Sequence, residues 1–479
     1  MQLSYTYATE LQALTSPVKV ALLRDQRLAI INHDLSSELG IDQSVWQNDW
    51  KALLTDHDSP WQKHAVAQKY GGHQFGQWNP ALGDGRGHLL AEIMAPSGER
   101  VDLHLKGAGP TPYSRHADGR AVLRSTLREY IVSEAMHALG VPTSRALCLF
   151  SSNEPVRRET LEPGAMLIRT CPSHIRFGHF EYYHYSGQKA QLDALFDYCF
   201  THHFTTLKDE PDRYLELLRN IVTSTAHLVA HWQATGFNHG VMNTDNMSIH
   251  GITFDYGPYA FLDDFIPNYV CNHSDYNGRY AFDQQPGIAL WNLNALAQAF
   301  THYLSVDAIT SALSLFEPVL MRTYQTLIAS KFGFDKLPAE HPDKTRADQL
   351  RIQWFDMLER QQRDYTQSFR LLALAQIEPK QLLDHFIDRD TIQQWLNDYH
   401  AICERHSINT IDLQQVNPRI VPRNHHLQRA IAAAYENDFS VAEALISAVS
   451  APFDDAPEST EFASPPPPHE KGIALSCSS

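Results

Sequence analysis

One segment, residues 236–265, interrupts a series of long helical patterns in the second part of the chain. These patterns cover residues 214–233 and parts of 288–332, 347–376 and 425–449. The first part of the chain differs, because β-like runs at 88–95 and 100–106 precede a helix predicted at about 123–139. This order predicts an α+β fold with a strand-rich first lobe, an extended helical second lobe and a cleft between them.

The same change of pattern predicts three regions. Residues 1–180 combine an N-terminal extension with the strand-rich lobe. Residues 181–450 form the helical lobe and contain a loop region at 239–265. Residues 451–479 are rich in proline and acidic residues, a composition typical of a flexible, disordered tail.

The composition narrows the classes of function. The formal net charge of −16 over 479 residues disfavours a broad nucleic-acid-binding surface, so an anionic ligand needs a local basic pocket. No apolar run approaches the ~20 residues that cross a bilayer, and the N-terminus does not resemble a secretory signal. The six cysteines are scattered without a C-x-x-C pair. We therefore expect a cytoplasmic protein without nucleic-acid or membrane partners, and the sequence does not indicate its oligomeric state.

A glycine-dense stretch carries the first ligand-binding features. Gly83, Gly85 and Arg86 directly precede a β-like run, and glycines spaced in this way let backbone N–H groups approach a phosphate. A glycine-rich hairpin without a ligand explains this stretch equally well. Lys106 ends the next β-like run, where it either faces solvent or reaches the phosphates of a nucleotide.

Other charged residues are candidates to complete such a pocket. The following helix offers Glu129 or Glu134 as a partner for the lysine; a helical wheel places Glu134 on the apolar face and does not decide between them. Arg169 and Arg176 follow a further β-like run. In an acidic protein they are either surface charges or clamps for phosphate, and we favour clamps.

The segment HGVMNTDNMSIHGITFDYGPYAFLDDF, residues 239–265, carries the most informative pattern. The amide of Asn246 and the carboxylate of Asp255 are oxygen ligands of the kind that Mg²⁺ or Mn²⁺ prefers. Asp245 lies beside them and can accept a proton from an attacking hydroxyl. An Asx-rich turn followed by a solvated acidic loop is the alternative, but the spacing favours a functional site.

Four segments resemble the selenoprotein O family, including its bacterial YdiU members. They are YGGHQFGQWNPALGDGRGHL, DLHLKGAGPTPYSRHADGRAVLRSTLREYIVSEAMHALGVPTSRAL, IRFGHFEY and FNHGVMNTDNMSIHGITFDYGPYAFLDDF. The resemblance covers most of the chain. It implies a protein-kinase-like fold and an enzyme that transfers AMP from ATP, or UMP from UTP, to Ser, Thr or Tyr hydroxyls of proteins.

The resemblance also implies a role for each candidate residue. Nucleotide contacts are implied for Gly83, Gly85, Arg86, Lys106, Asp118, Gly119, Arg169, Arg176 and Asp255. Within this set Lys106 pairs with Glu129, and the two arginines hold the distal phosphates. Asp245 is the implied base, and Asn246 and Asp255 are the implied ligands of Mg²⁺ or Mn²⁺.

The catalytic segment departs from the protein-kinase pattern. Kinases place the base five residues before the metal-binding asparagine, in H-R-D-x-x-x-x-N. Counting back from Asn246, that position is Val241, which cannot accept a proton. A true kinase is therefore disfavoured. A pseudokinase scaffold is disfavoured as well, because binding alone does not need a base beside the metal ligands.

The last prediction concerns a possible disulfide between two cysteines. Many members of the family carry selenocysteine near the C-terminus, and Cys477 stands at the similar place. A disulfide between Cys477 and Cys271 would tie the tail across the cleft. Two free thiols are the alternative, and the sequence does not decide between them.

Overall fold

The computed structural model describes residues 2–338 and 340–475. Its strands are β1 Gln2–Ser4, β2 Thr15–Pro17, β3 Arg27–Ile31, β4 Val66–Gln68, β5 Gly72–Gln74, β6 Gln77–Asn79, β7 Gly87–Met94, β8 Arg100–Lys106, β9 Ala121–Val122, β10 Arg145–Arg157, β11 Leu161–Cys171, β12 Phe237–Asn238 and β13 Ala260–Phe261. Nine of them form one antiparallel sheet with the order β2-β4-β7-β8-β11-β10-β3, in which β1 also pairs with β7 and β9 with β11.

The helices lie mostly after this sheet. They are α1 Thr6–Glu10, α2 His33–Glu38, α3 Trp50–Thr55, α4 Leu123–Ala138, α5 Phe177–Tyr185, α6 Lys189–His202, α7 Arg213–Thr235, α8 Gln285–Ala297, α9 Val306–Leu313, α10 Phe316–Lys331, α11 Asp343–Gln361, α12 Tyr365–Leu374, α13 Pro379–His385, α14 Arg389–Arg405, α15 Asn424–Tyr435 and α16 Ser440–Ser450. The predicted mixture of a strand-rich first part and a helical second part is confirmed. The boundaries of the three regions stay a prediction, and the first boundary, at residue 180, falls inside α5.

Strand β8 places two side chains in the apolar core and two in the cleft. Leu103 and Leu105 are fully buried in the apolar core on one face of the sheet. His104 and Lys106 alternate with them and line a cleft on the opposite face. Lys106 is paired in register with Gly87, so the strand places the lysine beside the glycine-rich loop.

The segment 236–265 is folded back on itself at its ends. Gly236 ends α7 in a left-handed conformation, with φ of 72°, which glycine adopts without a steric penalty. Strands β12 and β13 then pair, with Phe237 opposite Phe261. This pairing closes residues 239–259 into a loop that projects into the cleft, and Thr244–Asn246 form a 3₁₀ turn within it.

The tail differs from the predicted disorder over its described residues. Residues 457–463 form a 3₁₀ helix whose Phe462 is buried in the main apolar core. Lys471 binds Asp264 at 2.7 Å, and the His273 N–H donates to the Leu475 carbonyl at 2.8 Å. Composition does not reveal that Phe462 and Leu475 are both buried. These two apolar anchors fix a proline-rich segment, which loses little backbone entropy on ordering. Cys477 lies outside the described residues.

No helix in the described ranges is both long and apolar enough to cross a membrane.

Candidate functional site

A cleft of about 720 Å³ lies between the sheet and the loop 239–259. It is lined by every residue that the sequence singled out as a nucleotide, metal or base residue: Gly83, Gly85, Arg86, Lys106, Asp118, Gly119, Arg169, Arg176, Asp245, Asn246 and Asp255. Residues separated by up to about 170 positions are therefore brought to one place, although their individual roles stay predictions.

A buried ion network forms one wall of the cleft. Glu129 of α4 is 1% exposed and accepts hydrogen bonds from Lys106 Nζ and, at 3.0 Å, from Arg169 Nη1. Burial opposes ionisation of Glu129, but the two adjacent cations outweigh burial and lower the pKa of its carboxyl. Glu129 is thus the partner of Lys106, which decides the choice that the sequence left open.

Glu134 has a separate structural role. Its carboxylate binds the Arg145 guanidinium at 2.8 Å and accepts from Asn32 Nδ2 at 2.7 Å. The helical wheel could not distinguish the two glutamates because α4 is buried on nearly every side, so both side chains lie in the interior.

We expect the two glutamates to respond differently to loss of charge. Glu129→Gln removes the ion pair that positions Lys106 in the cleft, so ATP affinity should fall about tenfold, the value of one charge-assisted hydrogen bond. Glu134→Gln should lower the unfolding temperature and leave ATP affinity within a few-fold. Calorimetric titration and thermal unfolding of both variants check this. Equal losses of ATP affinity would contradict the assignment.

Asp255 lies between two buried arginines. Its carboxylate accepts from Arg169 Nη1 at 2.5 Å and from Arg176 Nη1, and the arginines are 3% and 2% exposed. Burial opposes ionisation, but the guanidinium groups outweigh it and hold the pKa of Asp255 well below its usual range. Its backbone is left-handed, with φ of 57°, a conformation that aspartate tolerates better than most side chains. The arginines predicted to hold phosphate therefore bind a predicted metal ligand in this structure.

Asp245 and Asn246 belong to the 3₁₀ turn Thr244–Asn246, which lies within the loop 239–259. Asp245 is 8% exposed, and burial raises the pKa of its carboxyl to about 7. Arg176 Nη1 donates to the Asp245 main-chain carbonyl at 2.7 Å, which ties the turn to the arginine cluster. Asn246 Nδ2 donates to the Val241 carbonyl at 3.0 Å, so the amide oxygen is the atom of Asn246 left for a cation.

The glycine-rich loop is tightly packed. A Cβ on Gly83 would lie 2.6 Å from the Tyr113 ring, and one on Gly87 would lie 2.5 Å from the His104 ring. Gly83 also has a φ of 133°, so a larger residue would be strained as well as obstructed. Arg86 lines the cleft, and no carboxylate of the described residues lies at ion-pairing distance from it.

Asp118 and Gly119 lie at the rim. Arg158 binds both oxygens of Asp118, at 2.9 and 3.0 Å. Gly119 has a φ of 67°, and a Cβ there would meet the Gly109 carbonyl at 2.1 Å. A nucleotide contact from Asp118 would have to compete with Arg158, which also lines the cleft and was not among the residues predicted from the sequence.

Two further cleft residues were missed, Asp84 and Gln74. Asp84 is buried and accepts from Tyr70 Oη at 3.1 Å and from the Gln68 N–H at 3.1 Å. Burial opposes its ionisation, but the hydrogen bond from His104 and the nearby cations lower its pKa to about 2. The position of Asp84 between two glycines of the loop indicates a residue that lines the cleft, whereas nothing in the sequence marked Gln74.

The oxygens of Asn246 and Asp255 suit a hard divalent cation, because Asp255 is held ionised and Asn246 has a free amide oxygen. The described residues hold one other cluster of potential ligands, His341, Asp343 and His406. Arg405 binds both oxygens of Asp343 there, at 2.9 and 3.0 Å. None of these three residues lines the cleft, and we assign no metal to them.

Comparison with known proteins supports the resemblance seen in the motifs. Residues 1–450 match the family described as "Protein adenylyltransferase SelO". A "Protein nucleotidyltransferase YdiU" of Pseudoalteromonas atlantica is 51% identical over 489 residues, covering 100% of both chains. Proteins of the same name from Erwinia tasmaniensis and Aeromonas salmonicida are each 45% identical, again over 100% of both chains. The predicted family and enzyme class are thereby confirmed: the chain belongs to the protein adenylyltransferase SelO family and is a protein nucleotidyltransferase.

Proposed function

We propose that the cleft, in a two-lobed protein-kinase-like fold, binds ATP or UTP with Mg²⁺ or Mn²⁺ and transfers the nucleotidyl group to Ser, Thr or Tyr hydroxyls of proteins. One observation carries the orientation of the nucleotide. Two arginines that line the cleft, Arg169 and Arg176, are almost fully buried and share one carboxylate, Asp255. Such a pair suits the γ-phosphate, the most highly charged group of the nucleotide, and leaves the α-phosphate towards Asp245.

The residues then perform an in-line displacement at the α-phosphorus. Asp245 takes the proton of the acceptor hydroxyl, whose oxygen bonds to the α-phosphorus. The bond from that phosphorus to the bridging oxygen breaks, and its electron pair leaves with pyrophosphate. Arg169 and Arg176 stabilise the charge of the departing group. The cation held by Asn246 and Asp255 would supply further neutralisation of phosphate charge.

The arginine cluster is poised for an exchange of partners. In the structure Arg169 and Arg176 donate to both oxygens of Asp255, so the carboxylate occupies the place of an anionic ligand. A bound nucleotide phosphate would accept from these donors, and Asp255 would then be available to hold the cation. The charge-assisted hydrogen bonds lost to Asp255 are then replaced by bonds of the same kind to phosphate.

The experiment that tests this function labels either end of the triphosphate. ATP labelled at the α-phosphate should mark protein, and ATP labelled at the γ-phosphate should not. Label from the γ-phosphate alone would instead establish a kinase. If neither phosphate labels protein, the chain is a nucleotide-binding protein without transferase activity. Val241, at the position of a kinase base, has no proton-accepting group and lines the cleft, which disfavours the kinase.

Replacing both arginines with alanine should weaken ATP binding more than AMP binding. AMP lacks the β- and γ-phosphates that the arginines are proposed to hold, and each lost charge-assisted contact costs about 1.5–3 kcal/mol. Titration calorimetry with the two nucleotides measures the difference. Equal losses for ATP and AMP would remove Arg169 and Arg176 from the distal-phosphate site.

A further inference from the structure

The hairpin of β5 and β6 lies directly over the catalytic turn, and the reaction described above gives it no role. The His73 N–H donates to Thr244 Oγ1 at 2.7 Å, and the Phe75 N–H donates to Asn243 Oδ1 at 3.2 Å. The hairpin backbone is therefore bonded to both residues that immediately precede Asp245.

The base of the hairpin is fixed to helix α5. The Gly71 N–H donates to the Gly178 carbonyl at 3.1 Å. A Cβ on Gly178 would lie 2.1 Å from the Gly71 carbonyl oxygen, so the two backbones approach as closely as glycine alone permits. Contacts at both ends thus hold the hairpin against the catalytic loop.

Gly72 provides the space in which the Asp245 side chain lies. A Cβ on Gly72 would be 2.8 Å from Asp245 Oδ1 and 3.0 Å from its Cβ. Gly72 does not have a positive φ, so its backbone would accept alanine. Its lack of a side chain is therefore explained by the carboxylate beside it and by no demand of the backbone.

Gln74 makes the one side-chain hydrogen bond that Asp245 has among the described residues. Its Nε2 donates to Asp245 Oδ2 at 3.3 Å, while Oδ1 is buried without a partner. Asn79 Nδ2 in turn donates to Gln74 Oε1 at 3.4 Å, which orients the amide so that its NH₂ group faces the carboxylate. Two amides of one hairpin thus form a short chain that ends on the catalytic oxygen.

We propose that Gln74 is a positioning residue that holds the Asp245 carboxylate for proton transfer, in a space that Gly72 leaves open. This inference rests on the proposed function, since it assigns the hairpin to the base of that reaction. Gln74 acts by orienting Asp245 and needs no contact with the nucleotide.

The first test replaces Gln74 with methionine, which has similar length and cannot donate a hydrogen bond. The rate of α-label transfer at saturating ATP should fall about 10–100-fold, the usual effect of removing a residue that orients a catalytic group. The dissociation constant for ATP should stay within a few-fold. Gln77→Met is the matched control, because Gln77 lies opposite Gln74 in the same hairpin and is exposed. Its rate should equal that of the wild type.

The second test distinguishes positioning from general stability. In an Asp245→Asn background, Gln74→Met should change the residual rate by less than about threefold, because two residues that act through one step are not additive. The inference is overturned if the two losses multiply, if Gln74→Met keeps the wild-type rate, or if its ATP affinity falls as much as its rate.

Gly72→Ala provides an independent test through the same carboxylate. It should lower transfer at least as far as Gln74→Met, since the new methyl group displaces Asp245 itself. Gly287→Ala is the control, because a Cβ there meets nothing within 4 Å. Wild-type transfer by folded Gly72→Ala would overturn the inference. Failure of the wild-type protein itself to transfer the α-label would instead overturn the proposed function, so the two failures are distinguishable.

Discussion

Asp255→Asn should lower nucleotide transfer by about 10³-fold or more. A cation at a phosphoryl centre contributes several kcal/mol to the transition state, and each ~1.4 kcal/mol corresponds to a tenfold change in rate. The substitution also leaves Arg169 and Arg176 without their shared anion, and breaking a buried ion pair costs about 3–5 kcal/mol of folding stability. Incorporation of α-label and chemical denaturation measure the two effects separately.

The arginines give this prediction a second readout. If nucleotide phosphate can replace the Asp255 carboxylate, ATP without divalent metal should raise the unfolding temperature of Asp255→Asn at least as much as that of the wild type. Asp264→Asn is the control: it removes one charge from the same segment, on a residue that binds Lys471. A folded Asp255→Asn protein with wild-type α-label incorporation would contradict the assignment of Asp255 as a metal ligand.

The sequence predicted which residues share the cleft more completely than it predicted the fold, and the roles of those residues stay predictions. Glycines before a strand, a lysine at a strand end and an Asp-Asn pair carry their chemistry in residue type and spacing, and all of them line one cleft. The partner of Lys106 did not follow from periodicity. Helix α4 is interior on almost every side, so Glu129 and Glu134 are both buried and only the tertiary contacts distinguish them.

Three features depended on contacts that no local pattern contains. Gln74 lies 171 positions from Asp245, so its hydrogen bond to that carboxylate depends on the tertiary fold. The Asp118 carboxylate is bound by Arg158, a partner that the sequence does not indicate. In the tail, Phe462 decides the outcome by entering the main core, against a composition typical of disorder.

Asp245→Asn should slow transfer by ~10²–10⁴, the usual contribution of a positioned base. Asparagine keeps the shape of the side chain and can remain beside Gln74, so the dissociation constant for ATP should stay within a few-fold. Single-turnover transfer of α-label, with calorimetry for ATP, measures both quantities. A collapse of ATP affinity with an unchanged rate for bound nucleotide would make Asp245 a binding residue.

The pH dependence of the wild type provides the complementary measurement. Burial raises the pKa of Asp245 to about 7, and a general base works only when it is deprotonated. The kcat/KM for transfer, which reports the free enzyme, should therefore fall as the pH drops below about 7. Asp245→Asn should lose this dependence on pH. If the variant keeps the same pH profile as the wild type, the titrating group is another residue and Asp245 is not the base.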